Sequence, residues 1–134
     1  MAVRYLLDSD ICIFAMKRRP PKLLRLLDQR APISAISVIA YGELELGAAM
    51  SARRDEAAAH LAALLDTLQV LPLPLQAAPR YAAVRAELQR IGQPIGSNDL
   101  WIAAHALAEN VALVTNNERE FRRVPGLRVE NWAR

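Results

Sequence analysis

The chain has 134 residues, of which 53% are hydrophobic and 23% are charged, and its mean hydropathy is +0.08. This length suits one domain spanning residues 1–134, and the composition excludes an intrinsically disordered chain. No apolar run approaches the roughly 20 residues that a membrane span needs, so no membrane association is expected. Because Arg4 and Asp8 interrupt the only apolar stretch near the first residue, a secretory signal is not expected and a cytoplasmic location is predicted.

The basic residues consist almost entirely of arginine. The formal net charge is only +3, but 15 of the 17 basic residues are arginine and the pI is about 9.5. Arginine offers a planar set of donors that matches phosphate oxygens, which favours a polyanionic partner. A GC-rich coding sequence would give the same excess, and composition alone does not separate the two explanations. The single cysteine, Cys12, excludes an internal disulfide and lies in an apolar segment that predicts a buried thiol.

Hydrophobic periodicity predicts strands that alternate with helices. In chain order the predicted elements are a strand at 3–7, a helix after Pro20 and Pro21, a strand after Pro32, a helix from the cap Ser37 through Met50, a helix at 53–68, a brief strand at 70–71, a helix from near Leu75 to Ile91, a helix from near Asn98 or Asp99, a buried strand at 111–115 and an edge strand at 127–130. This alternation indicates an α/β fold with a parallel sheet of four to five strands, flanked by helices on both faces.

Three carboxylates, Asp8, Glu43 and Asp99, lie where an apolar stretch meets a loop or a new helix. In a parallel α/β fold such positions meet at one edge of the sheet, where ligands bind. Carboxylates held close together repel one another and are tolerated chiefly around a cation. Oxygen ligands point to Mg²⁺, with Mn²⁺ as a substitute, and such an ion activates water in metal-dependent nucleases.

Each acidic residue also has a simpler explanation. Asp8 could form a turn, Glu43 could be a solvated helix residue, and Asp99 could favour the helix dipole. Glu45 is left out because two residues along a helix turn a side chain about 200° away from Glu43. Asp10 joins the site only if residues 8–10 form a turn that folds it back.

Four segments carry these residues in order: residues 6–11 (LLDSDI), 41–47 (YGELELG), 96–104 (GSNDLWIAA) and 113–121 (LVTNNEREF). Together with the tail at residues 124–132, they resemble the PIN-domain ribonucleases, specifically the VapC toxins of bacterial toxin-antitoxin modules. Each segment alone is a weak signal, but the four together span nearly the whole chain.

The resemblance implies a toxic Mg²⁺-dependent endoribonuclease that cuts structured RNA such as tRNA. It also implies inhibition by a cognate VapB-like antitoxin and a homodimer. By analogy, Asp8 and Asp99 are the main metal ligands, and Glu43 is a further ligand or orients water. Thr115 and Asn116 line the same pocket.

The chain departs from the family pattern after the last core strand. Many relatives have an aspartate there, whereas this chain has Asn116 and Asn117, followed by Glu118 and Glu120. Amides neither balance the charge of a cation nor take a proton. Glu120 is therefore predicted as the supplementary acid, with Glu118 as the other candidate.

Two alternatives and a set of RNA contacts complete these expectations. A phosphatase of the haloacid-dehalogenase kind would also have an acidic turn after a strand, but it needs a downstream lysine and the chain has only Lys17 and Lys22. A catalytically inactive PIN-like module that binds RNA or a partner is kept open by Asn116 and Asn117. The predicted RNA contacts are Arg18, Arg19, Arg53, Arg54, Arg119, Arg122 and Arg123.

Overall fold

The computed structural model describes residues 2–134, which form a five-stranded parallel sheet in the order β3-β2-β1-β4-β5. The strands are β1 (Tyr5–Leu7), β2 (Ser34–Ser37), β3 (Gln69–Leu71), β4 (Ala112–Val114) and β5 (Val129–Glu130). Because β1 lies in the centre, its carboxyl end is flanked by the ends of β2 and β4. The predicted parallel sheet is confirmed.

Helices connect the strands and cover both faces of the sheet. They are α1 (Ser9–Met16), α2 (Pro21–Arg30), α3 (Val38–Ala49), α4 (Arg54–Leu65), α5 (Ala77–Arg90), α6 (Ser97–Glu109) and α7 (Glu118–Phe121), with a 3₁₀ turn at Ala31–Ile33. Within residues 2–134, no helix combines the length and the hydrophobicity needed to cross a bilayer.

The strands divide the core into two layers because successive side chains point to opposite faces of the sheet. Leu6, Ala35 and Leu113 pack with α5 and α6, whereas Leu7, Ile36 and Val114 pack with α1, α2 and α4. Cys12 is fully buried in the second layer, as predicted, and this burial raises the pKa of its thiol.

Two helices differ from the sequence-based expectation. Residues 8–10 were expected to form a polar turn, but helix α1 begins at Ser9 and Asp8 is its N-cap. The four-residue helix α7 was not predicted as an element either. Both differences matter because each helix carries an acidic side chain into the functional site.

Helix α3 begins where Ser37 was predicted to cap it. The Ser37 hydroxyl oxygen accepts a hydrogen bond from the backbone N–H of Ile39 at 3.1 Å and lies 2.8 Å from Nδ1 of His105 on α6. Desolvation lowers the pKa of the buried His105 to about 4, so its ring is neutral near pH 7. A neutral polar contact therefore joins the start of α3 to α6.

Candidate active site

Asp8 occupies the carboxyl end of the central strand and is only 5% exposed. Its Oδ1 accepts a hydrogen bond from the N–H of Ser9 at 2.8 Å, which caps α1. Its Oδ2 accepts one from the Thr115 hydroxyl at 2.9 Å. Because Thr115 directly follows β4, this bond ties the ends of two adjacent strands together.

Asp10 lies beside Asp8, although the sequence left its position open. Its Oδ2 accepts a hydrogen bond from the N–H of Asn116 at 3.1 Å. Its Oδ1 is buried without a hydrogen-bond partner in the described chain. Helix α1 starts so early that Asp10 falls in its first turn, facing the loop after β4.

Asp99 and Glu120 meet from opposite sides of the site. Asp99 is in the first turn of α6, and Glu120 is on α7. The two Glu120 oxygens accept hydrogen bonds from the N–H of Gly96 at 3.0 Å and from Nδ2 of Asn117 at 2.6 Å. The Glu120 carboxyl also interacts directly with that of Asp99, so Glu120 lies next to Asp99, where it was predicted as the supplementary acid.

Glu118, the other candidate for that acid, is directed elsewhere. Its carboxylate pairs with Arg122 at 2.8 Å and accepts a hydrogen bond from Nδ2 of Asn131 at 2.9 Å. Neither interaction involves an acid of the site. The structure thus brings Glu120, and not Glu118, to the other acids.

Glu43 reaches the site from α3. Its charge is one cause of the raised pKa of Asp99, and its Oε1 is buried without a partner among residues 2–134. Glu45 instead accepts a hydrogen bond from the exposed Tyr41 hydroxyl at 2.9 Å. This arrangement agrees with the helical geometry that excluded Glu45.

Burial and mutual repulsion raise the pKa values of the central acids. For Asp8, burial raises the pKa to about 7, assisted by the charges of Asp10 and Asp99. For Asp99, burial raises the pKa to about 6, assisted by Glu120 and Glu43. For Glu120, burial acts in the same direction, but the hydrogen bonds from Asn117 and Gly96 outweigh it and lower the pKa. The cluster thus carries negative charge that its surroundings only partly offset.

The donor set fits a hard divalent cation. All the candidate ligands are oxygens, and two of them, on Asp10 and Glu43, are buried without partners. In residues 2–134, no three acidic, histidine or cysteine side chains lie close enough together in this structure to hold a metal ion by themselves. Mg²⁺ typically keeps several water ligands and takes one or two carboxylates directly, so an open arrangement of this kind suits it.

The C-terminal tail supports the site in a way that sequence reasoning missed. Nδ2 of Asn131 donates to Oδ1 of Asn116 at 3.1 Å as well as to Glu118, and its Oδ1 accepts from the N–H of Ala133 at 2.9 Å. These bonds fix the loop that presents Asn116 to Asp10. A single polar residue near a chain end gives no periodic signal that could have revealed this role.

The comparisons with known proteins agree with this geometry. The sequence matches the PIN domain family over residues 5–127. It is 40% identical over 131 residues to "Ribonuclease VapC2" of Rickettsia felis, covering 96% of this chain and 97% of that protein. It is 37% identical over 131 residues to the "tRNA(fMet)-specific endonuclease VapC" of Salmonella typhimurium, covering 98% and 99%.

Solved structures give the same result. The DNA-bound VapBC structure from Salmonella typhimurium superposes with a TM-score of 0.92 at 37% identity, covering 97% of this chain and 98% of that one. VapBC2 of Rickettsia felis, bound to a promoter DNA fragment, gives 0.91 at 37% identity, covering 97% and 99%.

The fold and the acidic site define a PIN-domain protein, and the chain belongs to that family. Its relatives are VapC ribonucleases, so the VapC-type toxin and the ribonuclease class predicted from sequence are both confirmed. The phosphatase alternative is thereby removed. PIN-domain nucleases depend on a divalent cation, which agrees with the donor set at this coarser level.

The raised pKa of Asp8 predicts how stability depends on pH. The folded protein holds this proton up to about pH 7, whereas the unfolded chain loses it near 3.8, so metal-free stability falls as pH rises between these values. In EDTA at about pH 8, Asp8→Asn should have a free energy of unfolding roughly 1–3 kcal/mol higher than the unaltered protein, measured by urea denaturation. The reason is that the amide still caps α1 but carries no buried charge.

The advantage of Asp8→Asn should shrink as pH falls toward about 4 and should be reduced by added Mg²⁺. Glu45→Gln, at an exposed site, is the matched control and should show no such pH-dependent gain. A lower stability of Asp8→Asn than of the unaltered protein in EDTA at about pH 8 would contradict the assignment.

Proposed function

We propose that this protein is a Mg²⁺-dependent endoribonuclease, acting as a single domain over residues 1–134, that hydrolyses phosphodiester bonds in structured RNA. The observation that carries the proposal is the convergence of Asp8, Glu43, Asp99 and Glu120 at one sheet edge, with a Glu43 oxygen left unpartnered. Four acids placed together in this way have little use without a cation. Mn²⁺ has the same preference for oxygen ligands and would substitute.

In this proposal Asp8 and Asp99 would hold the ion, as the family resemblance implies, and a cation there would offset the burial and neighbouring negative charge that raise the pKa of both acids. The bound ion would lower the pKa of a water molecule and offset charge on the phosphate under attack. Thr115 keeps one oxygen of Asp8 in place through its hydroxyl. Glu43, with a free buried oxygen, orients the attacking water or adds a ligand.

Asn116 and Asn117 stand where many relatives have an aspartate, and Glu120 supplies the fourth acid instead. Asn117 donates its side-chain N–H to Glu120 and its backbone N–H to Oγ1 of Thr115 at 3.0 Å. Asn116 lines the pocket and fixes Asp10 through its backbone. This use of both residues favours an active enzyme over the inactive binding module.

We infer that the substrate is tRNA or another structured RNA. The relative from Salmonella typhimurium is named as a tRNA(fMet)-specific endonuclease and is matched over 98% of this chain. The excess of arginine suits the phosphate backbone of such a substrate. We place the enzyme in the cytoplasm, where tRNA is found.

The proposed inhibitor is a VapB-type antitoxin, by analogy with the VapBC complexes to which the fold is similar. A groove of about 610 Å³ between α1, α2 and α4 offers a place for an apolar segment of that partner. The groove is lined by apolar residues that include Met16, Leu24, Leu27 and Ala63, with Arg18 and Arg25 among its polar residues.

A homodimer remains a further prediction of the resemblance. Helix α3 and its C-cap residue expose three apolar side chains, Val38 at 40%, Leu46 at 60% and Met50 at 77%. They give a second copy an apolar surface to cover. Helix α3 also carries Glu43, so a contact there would lie close to the site.

Cleavage of a tRNA pool tests the proposed activity. The unaltered protein should make discrete cuts with Mg²⁺ and none with EDTA. Asp8→Asn and Asp99→Asn should each reduce the rate by at least about 10²-fold, since electrostatic and metal-ligand contributions are of this size. Glu45→Gln is the control, because Glu45 lies on the helix that carries Glu43 but points away from the site, and this variant should keep full activity. Identical cutting by all variants would overturn the proposed site.

Asp10 should contribute to metal affinity, because its Oδ1 is one of two fully buried carboxylate oxygens that have no hydrogen-bond partner in the described chain. Asp10→Asn should weaken Mn²⁺ binding, measured by titration calorimetry without RNA, by about 10-fold, the lower end of the range for residues around a metal. Asp28→Asn, exposed on α2, removes the same charge far from the cluster and should leave the affinity unchanged. An equal effect of the two substitutions would argue against a specific role for Asp10.

The antitoxin groove has its own matched pair of variants on α4. Ala63 lines the groove, whereas its neighbour Ala62 is exposed outside it. Ala63→Glu should weaken co-purification with a co-expressed VapB-type antitoxin by at least about 10-fold, because the larger side chain would fill part of the groove and its carboxylate would lose water on binding. Ala62→Glu should have no such effect, and both variants should keep Mg²⁺-dependent cleavage. Equal retention of the antitoxin by the two variants would place its contact elsewhere.

A further inference from the structure

A second cavity of about 610 Å³ opens on the α7 side of the carboxylates. One wall is the loop after α5, at Gly92, Gln93 and Pro94, and the other contains Arg119, Arg122 and Arg123. Among residues 2–134, no acidic side chain contributes to the lining. The cavity is therefore a concentrated positive site beside a concentrated negative one.

Two hydrogen bonds join this cavity to the acidic cluster. Arg123 donates to the carbonyl oxygen of Pro94 at 3.0 Å, and Glu120 accepts from the N–H of Gly96 at 3.0 Å. Residues 94–96 and 119–123 thus form a shared wall with guanidinium groups on one side and Glu120 on the other. A ligand that spans this wall would contact both sites.

The three arginines are not equally committed to protein partners. Arg122 pairs with Glu118, and Arg123 uses one nitrogen on Pro94. Arg119 is exposed, and the described part of the chain places no carboxylate within ion-pair distance of it. Each guanidinium has five N–H donors, so several remain available to an anion.

We propose that this cavity binds a backbone phosphate of the RNA, displaced along the strand from the phosphate that is cleaved. The inference rests on the proposed ribonuclease function and adds a substrate-binding subsite to it. Its lining of arginine, glutamine, glycine and proline offers charge and donors but no apolar pocket for a side chain. It therefore suits the repeated charges of a nucleic acid better than an acidic peptide, which needs side-chain anchors to bind tightly.

A phosphate subsite positions the strand and carries no sequence information. It should raise affinity for any structured RNA and align the backbone across the Glu120 wall. Choice of the cut site would come from other contacts. This separation makes affinity and its salt dependence the right quantities to measure.

The test measures binding of a fluorescent tRNA pool to the full chain in EDTA over a range of KCl concentrations, so that no cleavage occurs. Arg119→Ala should raise the Kd about 3- to 10-fold at low salt and reduce the slope of log Kd against log salt by about 1. Arg119→Lys should retain most of the slope, because the point charge remains.

Arg128→Ala is the matched control. Arg128 is exposed and donates to the carbonyl oxygen of Asn110 at 2.8 Å, at the opposite end of β4 from Thr115. The substitution removes the same unit of charge as Arg119→Ala. It should change the Kd for tRNA less than about 2-fold and leave the slope of log Kd against log salt unchanged. Equal slopes for Arg119→Ala and Arg128→Ala would overturn the proposal.

Two further outcomes distinguish the phosphate subsite from a binding site for an acidic polypeptide and from the proposed ribonuclease activity. If Arg119→Ala leaves tRNA binding unchanged but weakens binding of a polyglutamate probe, the cavity binds an acidic polypeptide and the RNA assignment is wrong. Because binding is read without Mg²⁺, a reduced slope would support the subsite even if the unaltered protein failed to cleave RNA. A failure to cleave would count against the proposed enzyme alone.

Discussion

The burial of like charges at one edge of a parallel sheet is the constraint on which the rest of this structure depends. Asp8 is almost fully buried, with Asp10 and Asp99 close enough to raise its pKa. Uncompensated carboxylates in such surroundings would strongly oppose folding. The chain offsets the cost with hydrogen-bond donors from its own loops, and two fully buried carboxylate oxygens, on Asp10 and Glu43, have no donor in the described chain. Those remaining acceptors face a cluster that a divalent cation would complete.

The parallel topology explains why the donors are in the right place. Asp8 follows β1 and Thr115 follows β4, so the hydroxyl reaches its acceptor because neighbouring strands end together. The next N–H groups along that loop belong to Asn116 and Asn117, and both are used inside the site. A few residues after one strand therefore hold three side chains of the cluster.

This loop depends in turn on the last residues of the described chain. Trp132 is 2% exposed, packs edge-on against Tyr5 with ring centroids 5.0 Å apart, and lies under the guanidinium of Arg30 at 5.3 Å. That packing fixes the adjacent Asn131, which bonds to Asn116. Because β5 has only two residues, side-chain packing rather than strand pairing secures the tail. Loss of the tail would release the site without touching a carboxylate.

The features predicted correctly from the sequence are those that produce a hydrophobic pattern and those that stand where an apolar run ends. The sheet was predictable because buried strands are continuous apolar runs, and Asp8, Glu43 and Asp99 because each stands at the end of such a run or beside one. Helix α1 was not predicted because it is apolar around most of its circumference and shows no helical period. Its buried residues are Ile11, Cys12 and Ala15. The role of Asp10 could not be predicted either, because that role requires the helix to begin at Ser9.

The arginine cavity was predictable only in part. Arg119, Arg122 and Arg123 were recognised as basic residues near the Asn116 loop, but their common wall with residues 92–94 is created by two long-range hydrogen bonds. No local pattern encodes a contact between residues 24 or more positions apart. Sequence reasoning therefore identified the charges and could not place the surface that they form.

The same distinction applies to the contact between Ser37 and His105. The helix cap was readable from a serine before an apolar run, but the partner of that serine lies 68 positions away. Since α3 carries Glu43 and α6 carries Asp99, this contact sets how two carboxylates face each other across the site. Because His105 is fully buried, desolvation lowers its pKa to about 4 and the ring in this contact is neutral near pH 7. The contact between Ser37 and His105 therefore joins α3 to α6 without a charge of its own. It holds the two helices together without adding to or cancelling the negative charge of the carboxylates.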